Sequence, residues 1–189
     1  MEIILLVALC IGAYVYFYNS LVNAKLKVDE AWSGITVQLK RRHDLIPNLV
    51  EAVRSAMGHE ASVIDKILSA RTEALQALAT GGHSDVNKAE AVLSSALSSF
   101  VGYTEDNPEI TATTNIGQLQ SQLEETEDQI AAARRLFNGN VQAYNAKIMS
   151  IPWSFIASMK GFKTEAMYEV DRVELKAIST APLVNLKSG

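Results

Sequence analysis

From Ile3 to Ala24 the chain carries no charged side chain, and the first sixteen residues of that run, IILLVALCIGAYVYFY, are apolar or aromatic. At about 1.5 Å of rise per helical residue, such a stretch just covers the hydrocarbon core of a bilayer. Residues 1–24 are therefore expected to form a transmembrane anchor. A cleaved secretory signal would want a basic start and a small-residue cleavage site, whereas Glu2 opens this run and Tyr14, Tyr16, Phe17 and Tyr18 close it. The competing reading is a long buried core helix, but such helices usually carry a polar stripe and this run has none. Tyr14, Tyr16 and Tyr18 fit an interfacial aromatic belt. Lys25, Lys27, Lys40, Arg41 and Arg42 follow the run and no Lys or Arg precedes it. The charge bias thus predicts a single-pass membrane protein with its N-terminus outside and the remaining domain in the cytoplasm.

Beyond the anchor the apolar residues keep a helical period. Leu21, Ala24, Val28, Ala31, Ile35 and Gln38 alternate steps of three and four, so the first helix is expected to continue out of the anchor and to stop near Lys40–Leu45. Pro47 motivates that stop, because it lacks a backbone donor and disfavours helix for Ile46, while Asp44 can cap a new start. A second helix follows from Ile46 to Leu78 and ends at the GGH of 81–83, with Glu60 and Arg71 in its seam. A third carries Ala89, Val92, Leu93, Ala96, Leu97, Phe100 and Tyr103 up to the DNP of 106–108. The fourth runs from Ile116 to Ile148, with one extra step of four between Phe137 and Val141 that reads as a stutter. Short connections between amphipathic helices favour antiparallel neighbours. The expected fold is all-α: one N-terminal transmembrane helix continuous with a long antiparallel up-down four-helix bundle over 25–150. The fourth helix then returns toward the membrane, and residues 151–163 become a candidate interfacial amphipathic segment. There Trp153, Phe155, Ile156 and Phe162 would meet the membrane interface, or would instead cap the base of the bundle. The tail, 164–189, reads as a charged helix followed by an extended end.

The polar chemistry is sparse. With one cysteine, Cys10, whose expected role is packing, there is neither an intramolecular disulfide nor a thiolate metal site. None of the three histidines completes a Glu-x-x-His or His-Glu-x-x-His pattern, so no metal and no cofactor is expected. His43 or His59 with Asp44 or Glu60 could pair as acid and base, but no pocket is implied. A net charge of −4, from 17 basic and 21 acidic residues, gives no global pull toward nucleic acid. A charge in a bundle seam costs desolvation unless paired. The expected buried polar network therefore joins Glu60 and Arg71 of the second helix to Glu124, Glu127 and Arg134 of the fourth, with Arg71 reaching Glu124 or Glu127. Lys40, Arg41 and Arg42 are expected at the distal tip beside Glu105, Asp106 and Glu109. There they would form either a solvated intramolecular charge network or a docking surface for an acidic partner or a second copy. The asparagines at 138, 140 and 145 suggest hydrogen bonds across the bundle and no further role.

Several stretches carry a family resemblance: YNSLV at 18–22, AW at 31–32, VQLKRRHDLIPNLVEAV at 37–53, HE at 59–60, AR at 70–71, LQSQLEETEDQIAAARRLFNGNVQAYN at 119–145, and Pro152 with the GF of 161–162. Over nearly its whole length the chain resembles the LemA family. The resemblance implies a bacterial inner-membrane or cytoplasmic-membrane protein with its N-terminus outside, a cytoplasmic long-helix bundle, and no catalytic residues to carry over. On this reading the protein is a non-catalytic scaffold that self-associates or binds a membrane-protein partner at the bilayer. The alternative is an accessory subunit of a membrane protease or signalling system.

Overall fold

The computed structural model describes residues 1–57, 61–107 and 114–168. Within them the chain is all α-helical apart from its connections and a short extended stretch. The helices are α1 (Glu2–Met57), α2 (Ala61–Thr80), α3 (His83–Asp106), α4 (Thr114–Met149) and α5 (Trp153–Lys160). α1 packs along its distal two thirds against α4, α2 pairs with α3, and α5 touches both α1 and α4. The pairing of α1 with α4 is antiparallel: Ser20 meets Lys147, Lys27 meets Asn140, and Arg42 meets Glu127.

The first helix departs from the expected boundary. It does not stop near residue 45 but runs unbroken through Pro47 to Met57, so the second helix begins at Ala61 rather than Ile46. Proline at position 47 removes the amide hydrogen that would bond to the carbonyl of His43 one turn earlier. That oxygen instead accepts a hydrogen bond from Arg71 Nε of α2 at 2.8 Å. Pro47 is also exposed, outside the buried stripe of α1.

A seven-residue interval organises the buried stripe of α1. Leu21, Val28, Ile35, Arg42 and Leu49 all fall on it and are all at most 1% exposed. An equivalent line on α4 passes through Ile116, Ile130, Phe137 and Tyr144, and one on α3 through Val86, Leu93 and Phe100. The core divides into three layers along the bundle. The far layer gathers Ile46, Leu49 and Val53 with Ile64, Ile67, Leu93, Phe100 and Ile116. The middle layer holds Val28, Ile35 and Leu39 with Val86, Ile130, Phe137, Val141 and Tyr144. The near layer is small: Leu21, Ile156 and Ala157, flanked by Tyr14, Phe17, Tyr18, Trp153 and Phe162. Fully burying one such aliphatic side chain contributes about 1.5–3 kcal/mol, so the two larger layers hold the fold together.

Over its described part, residues 164–168, the tail expected to begin as a charged helix is not helical. Gly161 takes a left-handed conformation (φ 74°) and Phe162 N–H bonds back to the Ala157 carbonyl at 3.0 Å, which closes α5. Residues 162–168 then run extended along α4. Asn145 donates to the Glu165 carbonyl (2.8 Å) and accepts from its amide (2.9 Å); Asn138 does the same with Tyr168 (3.0 and 2.7 Å). Seven residues of helix and three of extended chain both cover about 10 Å, so the two amides meet the strap in register. Asn140 faces the other way and donates to the Lys27 carbonyl of α1 at 3.0 Å. The asparagine cluster thus clips an extended segment to the bundle. The rest of the tail lies outside the described residues.

Candidate functional site

Between the far and middle apolar layers sits a polar one. Arg42 (1% exposed), His43 (0%) and Glu90 (0%) are enclosed by α1, α3 and α4, with Thr126 beside them. Arg42 Nη2 pairs with Glu90 Oε2; its Nη1 donates to Glu127 Oε2 at 2.5 Å and to Ser94 Oγ at 3.0 Å. His43 Nε2 lies 2.8 Å from the other Glu90 oxygen. Burial pushes the Glu90 carboxyl up, but the His43 hydrogen bond and the Arg42 charge outweigh it, and the group ends below the usual carboxylate range. Such a layer is costly to desolvate unless its charges are paired, as Arg42 and Glu90 are here.

The expected polar network is therefore built from other residues. Glu127 belongs to it, through Arg42. Arg71 reaches the His43 carbonyl, not Glu124 or Glu127, because Pro47 leaves that oxygen open one helix away. Glu124 is exposed, and Arg134 lies over the Tyr168 ring at 4.6 Å. Glu60 is outside the described residues.

The expected charged tip is likewise redistributed. Since α1 continues past Pro47, Lys40–His43 lies mid-bundle, and Arg42 is a core residue where a docking residue was expected. Glu90 and Asp106 on α3 are sixteen residues apart, about 24 Å of helix, so the Arg42 layer and the end of α3 do not meet. Lys40 and Arg41 are exposed, with Arg41 3.5 Å from Glu125. Asp106 is exposed at the far end, while the Glu105 side chain and Glu109 fall outside the described residues. Toward that end an open groove is lined by Asn48, Glu51, Asn115, Gln118 and Gln122.

At the opposite end, α5 packs on the last turns of the apolar run. Phe17 meets Trp153 edge-on with ring centres 5.2 Å apart, and Tyr18 meets Phe162 at 6.2 Å. Ile156 is buried here against Leu21, so it caps the bundle rather than facing outward, whereas Phe155 is 69% exposed. Tyr14 and Tyr18 are half-buried and stack on each other; Tyr16 is exposed. Cys10, expected to pack, is exposed. The helix carries an 18-residue window of mean hydropathy 1.9, none of it buried, which is long and apolar enough to cross a membrane. Among the described residues no group of three His, Cys, Asp or Glu side chains could hold a metal ion.

A model of the family described as LemA matches residues 31–184, most of the chain. The chain belongs to the LemA family. Similar curated proteins include "Magnetosome protein MamQ 1" and "Magnetosome protein MamQ 2" of Paramagnetospirillum magneticum, each 25% identical over 80% of this chain and 64% of the relative. "Magnetosome protein MamQ" of Magnetospirillum gryphiswaldense is 24% identical over 77% of this chain and 62% of the relative. The chain thus spans less than two thirds of the length of these relatives. LemA membership, with the exposed apolar helix, describes a membrane-associated helical bundle and accords with a non-enzymatic role.

Of the residues that organise this LemA bundle, the sequence reading missed the burial of Arg42, His43 and Glu90. The signal was present. Arg42 falls on the same seven-residue line as Leu21, Val28, Ile35 and Leu49, and Glu90 on the line of Leu97 and Thr104.

Proposed function

We propose that this protein is a membrane-anchored, non-catalytic scaffold that acts by self-association or by holding a membrane-protein partner at the bilayer. The observation that carries the reading is the continuity of α1. One unbroken helix begins as an exposed apolar rod and becomes the central element of a bundle whose buried charges, Arg42 and Glu90, pair with each other. Such a rod transmits position rather than chemistry: whatever binds the bundle is held at a fixed height above the membrane. Exposed Lys40 and Arg41, and Asp106 at the far end, are the candidate contact residues. The bundle lies on the cytoplasmic side with the N-terminus outside, the orientation favoured by the cations that follow the span.

The test is the detergent-corrected mass of the full-length protein by light scattering across a range of concentrations. A discrete multi-copy mass supports self-association; a strict monomer overturns it. Orientation is read with the single cysteine moved to exposed Ser99 in a Cys10→Ala background. Labelling by an impermeant maleimide only after the cells are opened supports a cytoplasmic bundle, and labelling of intact cells overturns it.

A further inference from the structure

We propose that α5 is a second membrane-contacting element, lying in the interface of the same bilayer that α1 crosses, with its outward face in the acyl region. This rests on the reading of α1 as a membrane anchor. The argument begins with length. A bilayer core of about 30 Å needs about 20 helical residues, so a span that starts at Ile3 must use the turns around Tyr18 and Leu21 to complete the crossing. Those are the turns on which α5 is seated: Leu21 packs with Ile156 and Ala157, Phe17 with Trp153, and Tyr18 with Phe162. α1 cannot complete its crossing without carrying α5 to the level of the interface.

The outward surface of this element has the matching chemistry. Ile151, Phe155 and Met159 recur every four residues and are 75%, 69% and 72% exposed; Met149, at the end of α4, is 69% exposed. Four large apolar side chains clustered in and beside one short helix are unusual on a water-facing surface. Cations surround them at the level where the span ends. Lys147 Nζ is 2.9 Å from Ser20 Oγ, Lys160 lies 6.0 Å from the centre of the Tyr18 ring, and Lys163 is exposed. An apolar face flanked by lysines, beside a tryptophan and tyrosines, is the pattern of an interfacial helix. The inward face of α5 caps the bundle, so the two roles are divided between its two sides. With α1 crossing and α5 lying flat, the bundle has two points of attachment and a fixed tilt.

The experiment places spin labels on single cysteines in full-length protein carrying Cys10→Ala. The sites are Phe155→Cys and Met159→Cys on the proposed face, Leu6→Cys in the span and Ser99→Cys on exposed α3. The protein is held at one chain per nanodisc of phosphatidylcholine and phosphatidylglycerol. Accessibility to oxygen and to a water-soluble nickel chelate gives the depth of each label. Labels at 155 and 159 are expected about 5–10 Å below the headgroup boundary, protected from nickel like Leu6→Cys and unlike Ser99→Cys. Nickel access at 155 and 159 equal to that at 99, with 6 protected, overturns the inference and leaves the anchor intact. Nickel access at 6 as well overturns both. Protection at 155 and 159 that appears only with two or more chains per disc means a second copy covers the face, which also overturns it.

Discussion

Arg71 of α2 donates from Nε to the main-chain oxygen of His43, the one oxygen in α1 that Pro47 cannot serve with an amide hydrogen. The proline gap and the arginine are two halves of one device. An arginine in a helix seam, unexplained by any carboxylate partner, here completes the hydrogen bonding of a neighbouring helix. The pair should therefore be coupled. Arg71→Leu leaves the oxygen short of a donor and should cost about 1–3 kcal/mol, a few degrees in Tm for a chain of this size. In a Pro47→Ala background the backbone supplies its own donor, and Arg71→Leu should cost clearly less. A thermal double-mutant cycle checks this; additive effects would mean that Arg71 serves some other purpose.

The buried carboxylate should dominate the polar layer. Glu90→Gln removes the fully buried partner of Arg42 and should cost about 3–5 kcal/mol. Glu127 is 44% exposed, so Glu127→Gln should cost no more than about 1 kcal/mol even though it touches the same guanidinium. Because the Glu90 carboxyl is held below its ordinary value in the fold, its contribution is complete above the unfolded value of about 4.3. It is lost as pH falls through the native value. Acid unfolding of the wild type followed by circular dichroism should show this loss, and the slope should flatten in the Glu90→Gln variant.

A second pH dependence should appear nearer neutrality. His83 opens α3 with its ring 3.8 Å from the centre of the Trp32 ring, and burial holds its pKa below the ordinary value. Nearby Glu165 and Asp29 pull the other way without reversing this, and Lys25 adds to it. The unfolded chain then takes up a proton on this imidazole at a higher pH than the native one. Stability from His83 is full above about 6.5 and declines as pH drops from there toward the native value. His83→Phe keeps an aromatic ring beside Trp32 and removes the proton. Tm measured from pH 7.5 to 5.5 should fall less in the variant than in the wild type.

The sequence made the apolar rod, the antiparallel bundle and the returning fourth helix legible, because each rests on a repeating apolar stripe that only one helical face can bury. It failed where a single residue had two physical answers. Pro47 ordinarily ends a helix, and only a donor from α2, distant in sequence, lets α1 continue; no local pattern contains that information. The misplaced helix end then carried Arg42 to a surface tip in the sequence reading, although its seven-residue spacing already placed it among core positions. Asn138 and Asn145 were visible as polar residues in a good helix, but their partners are backbone groups of an extended segment, which side-chain chemistry alone does not announce. For Phe155 and Ile156, hydrophobicity could not separate outward from inward; the packing against Leu21 does.

Those asparagines permit a final test in which local and global stability should separate. Each amide side chain makes two hydrogen bonds to one strap residue, Asn145 to Glu165 and Asn138 to Tyr168. Replacing either with alanine removes both bonds but also improves the helix propensity of α4 by a few tenths of a kcal/mol. Global stability should therefore change little, while the strap loosens. Amide hydrogen exchange resolves the two effects. Asn145→Ala should raise exchange at the Glu165 amide by about an order of magnitude, the equivalent of roughly 1.4 kcal/mol, and leave the core of α4 protected. Asn138→Ala should do the same at the Tyr168 amide. Equal loss of protection across α4 and the strap would mean that these asparagines support the bundle as a whole. Unchanged exchange at both amides would mean that the burial of Tyr168 over Phe137 and Trp32, and not the amide clip, holds the strap.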